Sequence, residues 1–192
     1  MSNCTKKIAA GGAAVIGALM LSGCSAKLPF VQSAPNFDST YKVCADIVYD
    51  DLTAKADVTR KGASEWVFSF TEPKQLNGVT LSMNAEGWSA KLGGLEFSAK
   101  DSEVYTLIPE VIGGSIDALT TFTEEDFTVE DGVLTADAEF EGKKVTVTAK
   151  ERSGELISLK CPYHKLSVNF SGQQAYTPRD PSLGGLVTEE AE

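Results

Sequence analysis

Residues 134–149 read LTADAEFEGKKVTVTA, and this stretch decides the fold. Apolar and polar side chains alternate along it on both sides of Glu141-Gly142. An alternation with period two is typical of a β-strand that buries one face, and a glycine-containing pair between two such runs favours a hairpin turn. The stretch therefore predicts an antiparallel hairpin with one apolar face and one wet face. The apolar positions are Leu134, Ala136, Ala138 and Phe140, then Val145, Val147 and Ala149.

The same alternation recurs along most of the chain from Tyr41 onward. Its apolar members are Leu52, Ala54, Ala56, Val58; Trp66, Phe68, Phe70; Val79, Leu81, Met83; Trp88, Ala90, Leu92; Leu95, Phe97, Ala99; Ile157, Leu159, Cys161; and Leu166, Val168, Phe170. Residues 43–49 predict a further, less regular strand. Turn signals separate the runs at Asn77-Gly78, Glu86-Gly87, Gly93-Gly94, Asp131-Gly132 and Ser153-Gly154. Short connections of this kind predict a meander of about nine to eleven antiparallel strands.

One stretch departs from the strand pattern. Leu107, Ile108, Val111, Ile112, Ile116 and Leu119 recur at helical spacing. Pro109 suits the first turn of a helix, whereas Gly113-Gly114 should weaken or kink it. A twisted sheet with one apolar face and one apolar helix predicts a mainly β fold, an open half-barrel that wraps the helix. The alternative is a two-sheet β-sandwich with the helix capping one end.

The first residues have the organisation of an export signal. Lys6 and Lys7 precede an apolar run over residues 8–21, which is too short to span a bilayer comfortably. Leu21-Ser22-Gly23-Cys24 follows and resembles the bacterial lipoprotein lipobox. This resemblance implies a signal peptide over residues 1–23 and lipidation of Cys24, with palmitate-type acyl chains holding the mature protein on a bacterial membrane. We therefore expect an extracytoplasmic location.

The remaining chain divides into three parts. Residues 24–40 begin with the acylated cysteine and have the prolines and small polar residues of a tether, although this segment could instead dock on the domain. Residues 41–178 form the β-rich half-barrel domain. Residues 179–192 lose all periodicity and end in acidic residues, which predicts a flexible tail.

The charge excludes one class of partner. The full chain has a formal charge of −10, and removal of residues 1–23 leaves 15 basic and 27 acidic side chains, hence −12. Nucleic acid binding requires a basic surface, so nucleic acid is not expected as a partner. A polybasic attachment to anionic lipid is excluded for the same reason. Membrane contact should therefore depend on acylated Cys24.

No motif indicates catalysis, a metal or a cofactor. His164 is the only histidine, and the Cys161-Pro162-Tyr163-His164 sequence lacks the further ligands that a metal site needs. The acidic residues at 124–131 lack the order of a calcium loop and predict a solvated strand edge. We therefore predict no catalytic residues, no metal site and no cofactor, and we do not expect an enzyme.

Two cysteines remain in the mature domain. A disulfide between Cys44 and Cys161 would close a long loop and contribute about 4 kcal/mol in the chain-entropy model. Cys161 falls on the apolar side of its strand, whereas Cys44 alternates with Val43 and Ala45. Opposed faces hinder such a bridge unless a bulge intervenes. The sequence is therefore compatible with a disulfide and with two free thiols.

The order of elements resembles the lipoprotein-carrier fold, the family of periplasmic lipoprotein chaperones and mycobacterial lipid-binding lipoproteins. The resemblance covers residues 41–178. It rests on the strand series, the turn Glu72-Pro73-Lys74-Gln75-Leu76-Asn77-Gly78, the central helix and the closing hairpin from Gly154 to Phe170. The long N-terminal helix of the carriers is replaced here by a tether and an early strand, and the soluble chaperones lack an anchor.

The resemblance implies that the concave face binds or carries a hydrophobic ligand, either a lipid or the acyl chains of a lipoprotein. The implied lining is Trp66, Phe68, Leu81, Trp88, Phe97, Phe140, Val147 and Leu166, unless these side chains simply pack on the helix. Gly113 and Gly114 would then be the hinge of a helical lid. The alternative functions are a non-catalytic envelope module that binds a protein or a glycan and, third, an enzyme without a recognisable site.

Overall fold

The computed structural model describes residues 35–99 and 107–177, with only the backbone for residues 97–99. It confirms every strand predicted above and the helix. The elements are β1 Tyr41–Tyr49, β2 Leu52–Gly62, β3 Glu65–Glu72, β4 Val79–Asn84, β5 Gly87–Leu92, β6 Leu95–Ala99, α1 Leu107–Ala118, the 3-10 turns Leu119–Thr121 and Glu124–Asp126, β7 Phe127–Glu130, β8 Val133–Phe140, β9 Lys143–Lys150, β10 Leu156–Cys161 and β11 Leu166–Ala175. Strand β7 is an edge strand of the sheet, in agreement with the solvated strand edge predicted from the acidic residues at 124–131.

All eleven strands belong to one antiparallel sheet, in the order β6-β5-β4-β3-β2-β1-β11-β10-β9-β8-β7. The β-sandwich alternative is therefore wrong. The meander is confirmed within β1–β6 and within β7–β11. The two halves join where β1 pairs with β11, so β6 and β7 lie at opposite edges of the sheet. The chain passes from one edge to the other by way of α1.

Helix α1 packs on the apolar face, between strands of the two halves. A Cβ atom added at Gly113 would lie 3.1 Å from Cδ1 of Trp66 on β3, and one added at Gly114 would lie 3.6 Å from Cδ2 of Phe140 on β8. Strands from both halves thus contact neighbouring positions of one helix, and the sheet forms an open half-barrel around it. The helix continues through both glycines without interruption.

Two of the predicted hairpin turns have a backbone that explains their sequence. Asp131-Gly132 has φ values of 51° and 78°, and Glu141-Gly142 has φ values of 50° and 70°. Positive φ at both central residues is the signature of a type I′ turn, whose twist matches that of the flanking strands. Glycine adopts this conformation without steric cost, which is why it occupies the second position.

The two cysteines of the described domain are free thiols, so the disulfide alternative is wrong. Cys44 is exposed on β1, whereas Cys161 is buried on β10, and β11 lies between these strands. The Cys44 thiol donates a 3.5 Å hydrogen bond to Oδ1 of Asp57. Desolvation, then the hydrogen bond and charge of Asp57, raise the pKa of Cys44. The nucleophilic thiolate is therefore disfavoured.

The folded unit begins before Tyr41. Phe37 is only 5% exposed, so the end of the predicted tether docks on the domain, as the alternative interpretation held. We call residues 35–40 the strap. The predicted signal peptide, the predicted lipidation site Cys24 and the predicted tail over residues 179–192 lie outside the described residues. Within the described part of the chain, no helix has the length and apolar character needed to cross a bilayer.

Candidate functional site

One row of side chains crosses the concave face along the register of five strands. Tyr41 on β1 pairs with Arg60 on β2, which pairs with Trp66 on β3. Trp66 pairs with Met83 on β4, and Met83 pairs with Trp88 on β5. Because paired residues in an antiparallel sheet point to the same side, all five face the helix side. This row connects the closed part of the half-barrel to its open edge.

Burial decreases along this face toward the edge. Trp66 and Phe68 on β3 are fully buried, and Leu81 on β4 and Trp88 on β5 are only partly buried. At the β5–β6 turn, Leu92 and Leu95 are 48% and 62% exposed. We call strands β4–β6 the wing. Its apolar side chains continue the apolar face of the core without being fully covered.

The structure divides the predicted lining into two groups. Trp66, Phe68, Val147 and Leu166 are buried members of the core, and Leu81, Trp88 and Phe140 are partly buried against it. The first group therefore packs inside the domain and offers little surface to a ligand. Leu81 and Trp88 lie on the wing. Phe97 pairs with Ala90 in the wing, and its side chain lies outside the described part of the structure.

A buried arginine is the feature that the sequence interpretation missed. Arg60 is fully buried, and it occupies the next inward position after Ala56 and Val58 on β2. Its Nε donates to Oδ1 of Asp117 at 3.0 Å, and its Nη2 lies 2.9 Å from the same oxygen. Arg60 is the next position after Val58 in the apolar alternation of β2, so the sequence pattern could have predicted that its side chain points inward.

Asp117 ties the end of α1 to the sheet. Besides Arg60, its Oδ2 accepts hydrogen bonds from Nε1 of Trp66 at 2.8 Å and from the backbone nitrogen of Ser64 at 3.0 Å. A carboxylate near a helix C-terminus is unfavourable with the helix dipole, and a paired guanidinium offsets that cost. The charges inside the half-barrel are thus paired with each other.

Two hydroxyl groups near the helix have no hydrogen-bond partner among the described residues, Oη of Tyr41 and Oγ of Ser115. Burial raises the pKa of Tyr41 far above its usual value, with Arg60 lowering it and Asp117 raising it by smaller amounts. Tyr41 is therefore neutral at physiological pH. The cluster offers paired charges and neutral hydroxyls, which suits helix attachment better than proton transfer.

His164 lies in the β10–β11 turn, outside this cluster. Its ring packs edge-on against Phe140 and Tyr163, at centroid distances of 6.4 and 4.9 Å. Its Nε2 is buried, with no hydrogen-bond partner in the part of the chain that the structure describes. Among residues 35–99 and 107–177, no three His, Cys, Asp or Glu side chains are grouped as a metal site would need.

Known proteins similar to this chain were found among solved structures. An uncharacterized conserved protein from Thermus thermophilus is 8% identical, with a TM-score of 0.47 over 74% of this chain and 82% of that one. A LolA superfamily protein from Nitrosomonas europaea is 12% identical, with a TM-score of 0.38 over 77% and 90%. A domain named as a putative outer membrane lipoprotein-sorting protein from Vibrio parahaemolyticus is 11% identical, with a TM-score of 0.35 over 75% and 88%. No protein-family model and no curated protein matches the sequence.

The two helix glycines should respond in opposite ways to substitution by alanine. The new methyl group in Gly113→Ala would lie 2.9 Å from Cε of Met83 and 3.1 Å from the Trp66 ring, which Asp117 holds in place. Overpacking of this kind costs about 1–3 kcal/mol. Gly114→Ala makes only a normal 3.6 Å contact with Phe140 and should gain up to about 1 kcal/mol of helix propensity.

Chemical denaturation of the two variants measures this difference. If the two variants were equally stable, the close approach of Trp66 and Met83 would not explain why residue 113 is a glycine. The hinge role of the pair stays a prediction, and Gly114→Ala tests it as well. If Gly113 and Gly114 form a hinge, Gly114→Ala makes that hinge stiffer, and a bound ligand should then dissociate more slowly.

Proposed function

We propose that this protein is a lipid-anchored extracytoplasmic lipoprotein that binds or carries a hydrophobic ligand, a lipid or acyl chain, on the concave face of its half-barrel. The ligand would lie along the wing, between the open edge of the sheet and α1. Leu81, Met83 and Trp88 would contact it directly. Trp66 and Phe68 would form the packed floor behind them.

The observation that carries this proposal is the decrease in burial across one continuous apolar face. Leu92 and Leu95 pair with each other and share the side of the sheet that buries Trp66. Apolar area exposed to water costs about 25 cal/mol for each Å² that a ligand could cover. The helix covers the part of this face around β3, whereas the wing is only partly covered. Such a face fits an elongated apolar ligand.

The chemistry of the concave face supports binding over catalysis. Arg60 and Asp117 are paired with each other, and Tyr41 is held neutral by burial. A general acid or base needs a pKa near the working pH and access to a substrate proton. The described part of this face presents apolar side chains instead, which bind without reacting.

Ligand binding can be tested with two neighbouring residues of β4 that face opposite ways. Leu81 points to the concave face and Ser82 to the outer face, and both are half-buried. Lipids extracted from the purified mature protein should be detectable by mass spectrometry, and a fluorescent fatty acid should bind. Leu81→Asn should weaken that binding about tenfold, because it places a polar amide against the apolar chain.

Ser82→Asn is the matched control and should bind as the wild type does. Thermal unfolding of both variants shows whether each is folded. Absence of any co-purifying lipid together with absence of fatty acid binding would contradict the proposal. The protein- or glycan-binding interpretation would then be preferred.

The proposed anchor has its own measurement. Cells supplied with an alkyne fatty acid should label the wild-type protein, because the lipobox residues direct acylation to Cys24. Cys24→Ala should lose the label and leave the membrane fraction. A labelled Cys24→Ala protein would show that the acylated residue is a different one.

A further inference from the structure

The strap is the first described segment of the chain on the side of the proposed anchor, and it packs closely on the domain. Phe37 stacks on Phe127 at a centroid distance of 5.8 Å with the rings 23° from parallel. A Cβ atom added at Gly154 would lie 2.9 Å from Cβ of Pro35, so the strap closely covers the β9–β10 turn. Thr40 exchanges hydrogen bonds with the backbone of Tyr176. The strap is therefore part of the folded domain.

One guanidinium group holds both the strap and the helix. Nη1 of Arg60 donates to the backbone oxygen of Ser39 at 2.9 Å, and Nη2 donates to Oδ1 of Asp38 at 3.1 Å. Nε of the same side chain donates to Asp117 at the end of α1. Asp38 is 69% exposed and Asp117 is 17% exposed, so the outer partner can leave more easily than the inner one.

A second connection reaches the segment that follows the helix. Phe127, the ring on which Phe37 stacks, also packs against Phe122 at 5.8 Å with the rings tilted by 54°. Phe122 follows directly after the 3-10 turn that extends α1. The strap thus contacts the exit of the helix through an aromatic stack as well as through Arg60.

We infer that the strap is a lock for helix α1, and that its release loosens the helix at the end near Asp117. Undocking would remove two of the acceptors of buried Arg60 and one face of the Phe127 stack. A buried cation that loses hydrogen-bond acceptors is destabilised. The contacts that weaken are those of Arg60 with Asp117 and of Phe127 with Phe122, both at the C-terminal end of the helix. By linkage, any ligand that binds better to the loosened helix also favours the undocked strap. The effect on ligand rests on the proposed function, whereas the lock itself does not.

The position of the strap gives a physical trigger for release. Ten residues separate Cys24 from Pro35, which allows a reach of about 35 Å from an anchor at Cys24. Undocking of the six strap residues would add about 20 Å. A domain drawn toward a partner beyond the shorter reach would therefore undock its strap. Extension of the tether and loosening of the helix would occur together.

Hydrogen exchange of the full mature chain tests the lock without any ligand. In the variant Phe37→Ala/Asp38→Ala, the amides at the helix end near Asp117, residues 113–118, should exchange at least tenfold faster, whereas those of β9 should be unchanged. The matched control Asp46→Ala removes an exposed acid from the outer face of β1 and should change neither group. An equal increase in all elements, or no increase in the helix, would overturn the inference.

A second measurement separates the lock from ligand binding. The double variant should release a bound fluorescent fatty acid faster than the wild type and Asp46→Ala do. Unchanged release with selectively faster helix exchange would overturn the coupling to ligand and leave the lock supported. Absence of binding in the wild type would refute the proposed function, and the exchange result would still decide the lock.

Discussion

Replacement of Arg60 by methionine should destabilise the domain by about 3–5 kcal/mol, the usual cost of removing one partner from a buried ion pair. The Arg60 side chain is fully buried, and its loss leaves Asp117 as an unpaired charge that is 17% exposed. The exposed pair of Lys55 and Glu72, with side chains 53% and 60% accessible, is the matched control. Lys55→Met should cost less than about 1 kcal/mol.

Thermal unfolding measures both variants, and about 3–5 kcal/mol corresponds to a fall in Tm of roughly 10 °C or more in a protein of this size. The double variant Arg60→Met/Asp117→Asn should recover part of the loss, because it removes the unpaired charge and keeps an acceptor for Trp66. A single variant at Arg60 that unfolds no earlier than Lys55→Met would contradict the assigned role of the pair.

The second large effect is a difference between Trp66 and Trp88, two tryptophans that the sequence pattern places on the same face of the sheet. Trp66→Ala should cost about 3–5 kcal/mol, because the ring is fully buried and its loss leaves a cavity under the helix. It also removes the indole donor to Asp117. Trp88 is half-buried on the wing, so Trp88→Ala should cost clearly less stability and weaken fatty acid binding about tenfold.

Equilibrium unfolding in urea and titration with a fluorescent fatty acid provide the two measurements. The expected result is an opposite ranking, with Trp66 dominating stability and Trp88 dominating affinity. Similar losses of stability with no loss of affinity in Trp88→Ala would mean that the wing is core and not a binding surface. The proposed ligand site would then be wrong.

Local patterns predicted most of the fold because strands, turns and helix are set by near neighbours in the sequence. Leu134 to Ala149 shows its alternation within one hairpin, and the Asp131-Gly132 and Glu141-Gly142 turns follow from the φ values they require. The pairing of β1 with β11 was not predicted. It joins residues more than a hundred positions apart, and no local signal encodes it.

The candidate site was predicted only in part, for the same reason. Alternation tells which side chains share a face, and it grouped Trp66 with Trp88 correctly. The degree of burial depends on where the helix lies, which separates these two residues in the structure. The ion pair of Arg60 and Asp117 spans 57 positions, and only the inward parity of Arg60 could have indicated it from the sequence.

The pairing of the first strand with the last also governs when this protein can fold. Synthesis delivers the chain from its N-terminus, so β1 emerges long before β11 does. The pairing between them cannot be completed until residue 175 is free. Since contacts between such distant segments form slowly, the chain should keep an incomplete sheet throughout its delivery and close it last. A pairing that is completed this late would keep the chain unfolded for long enough to allow the export proposed above.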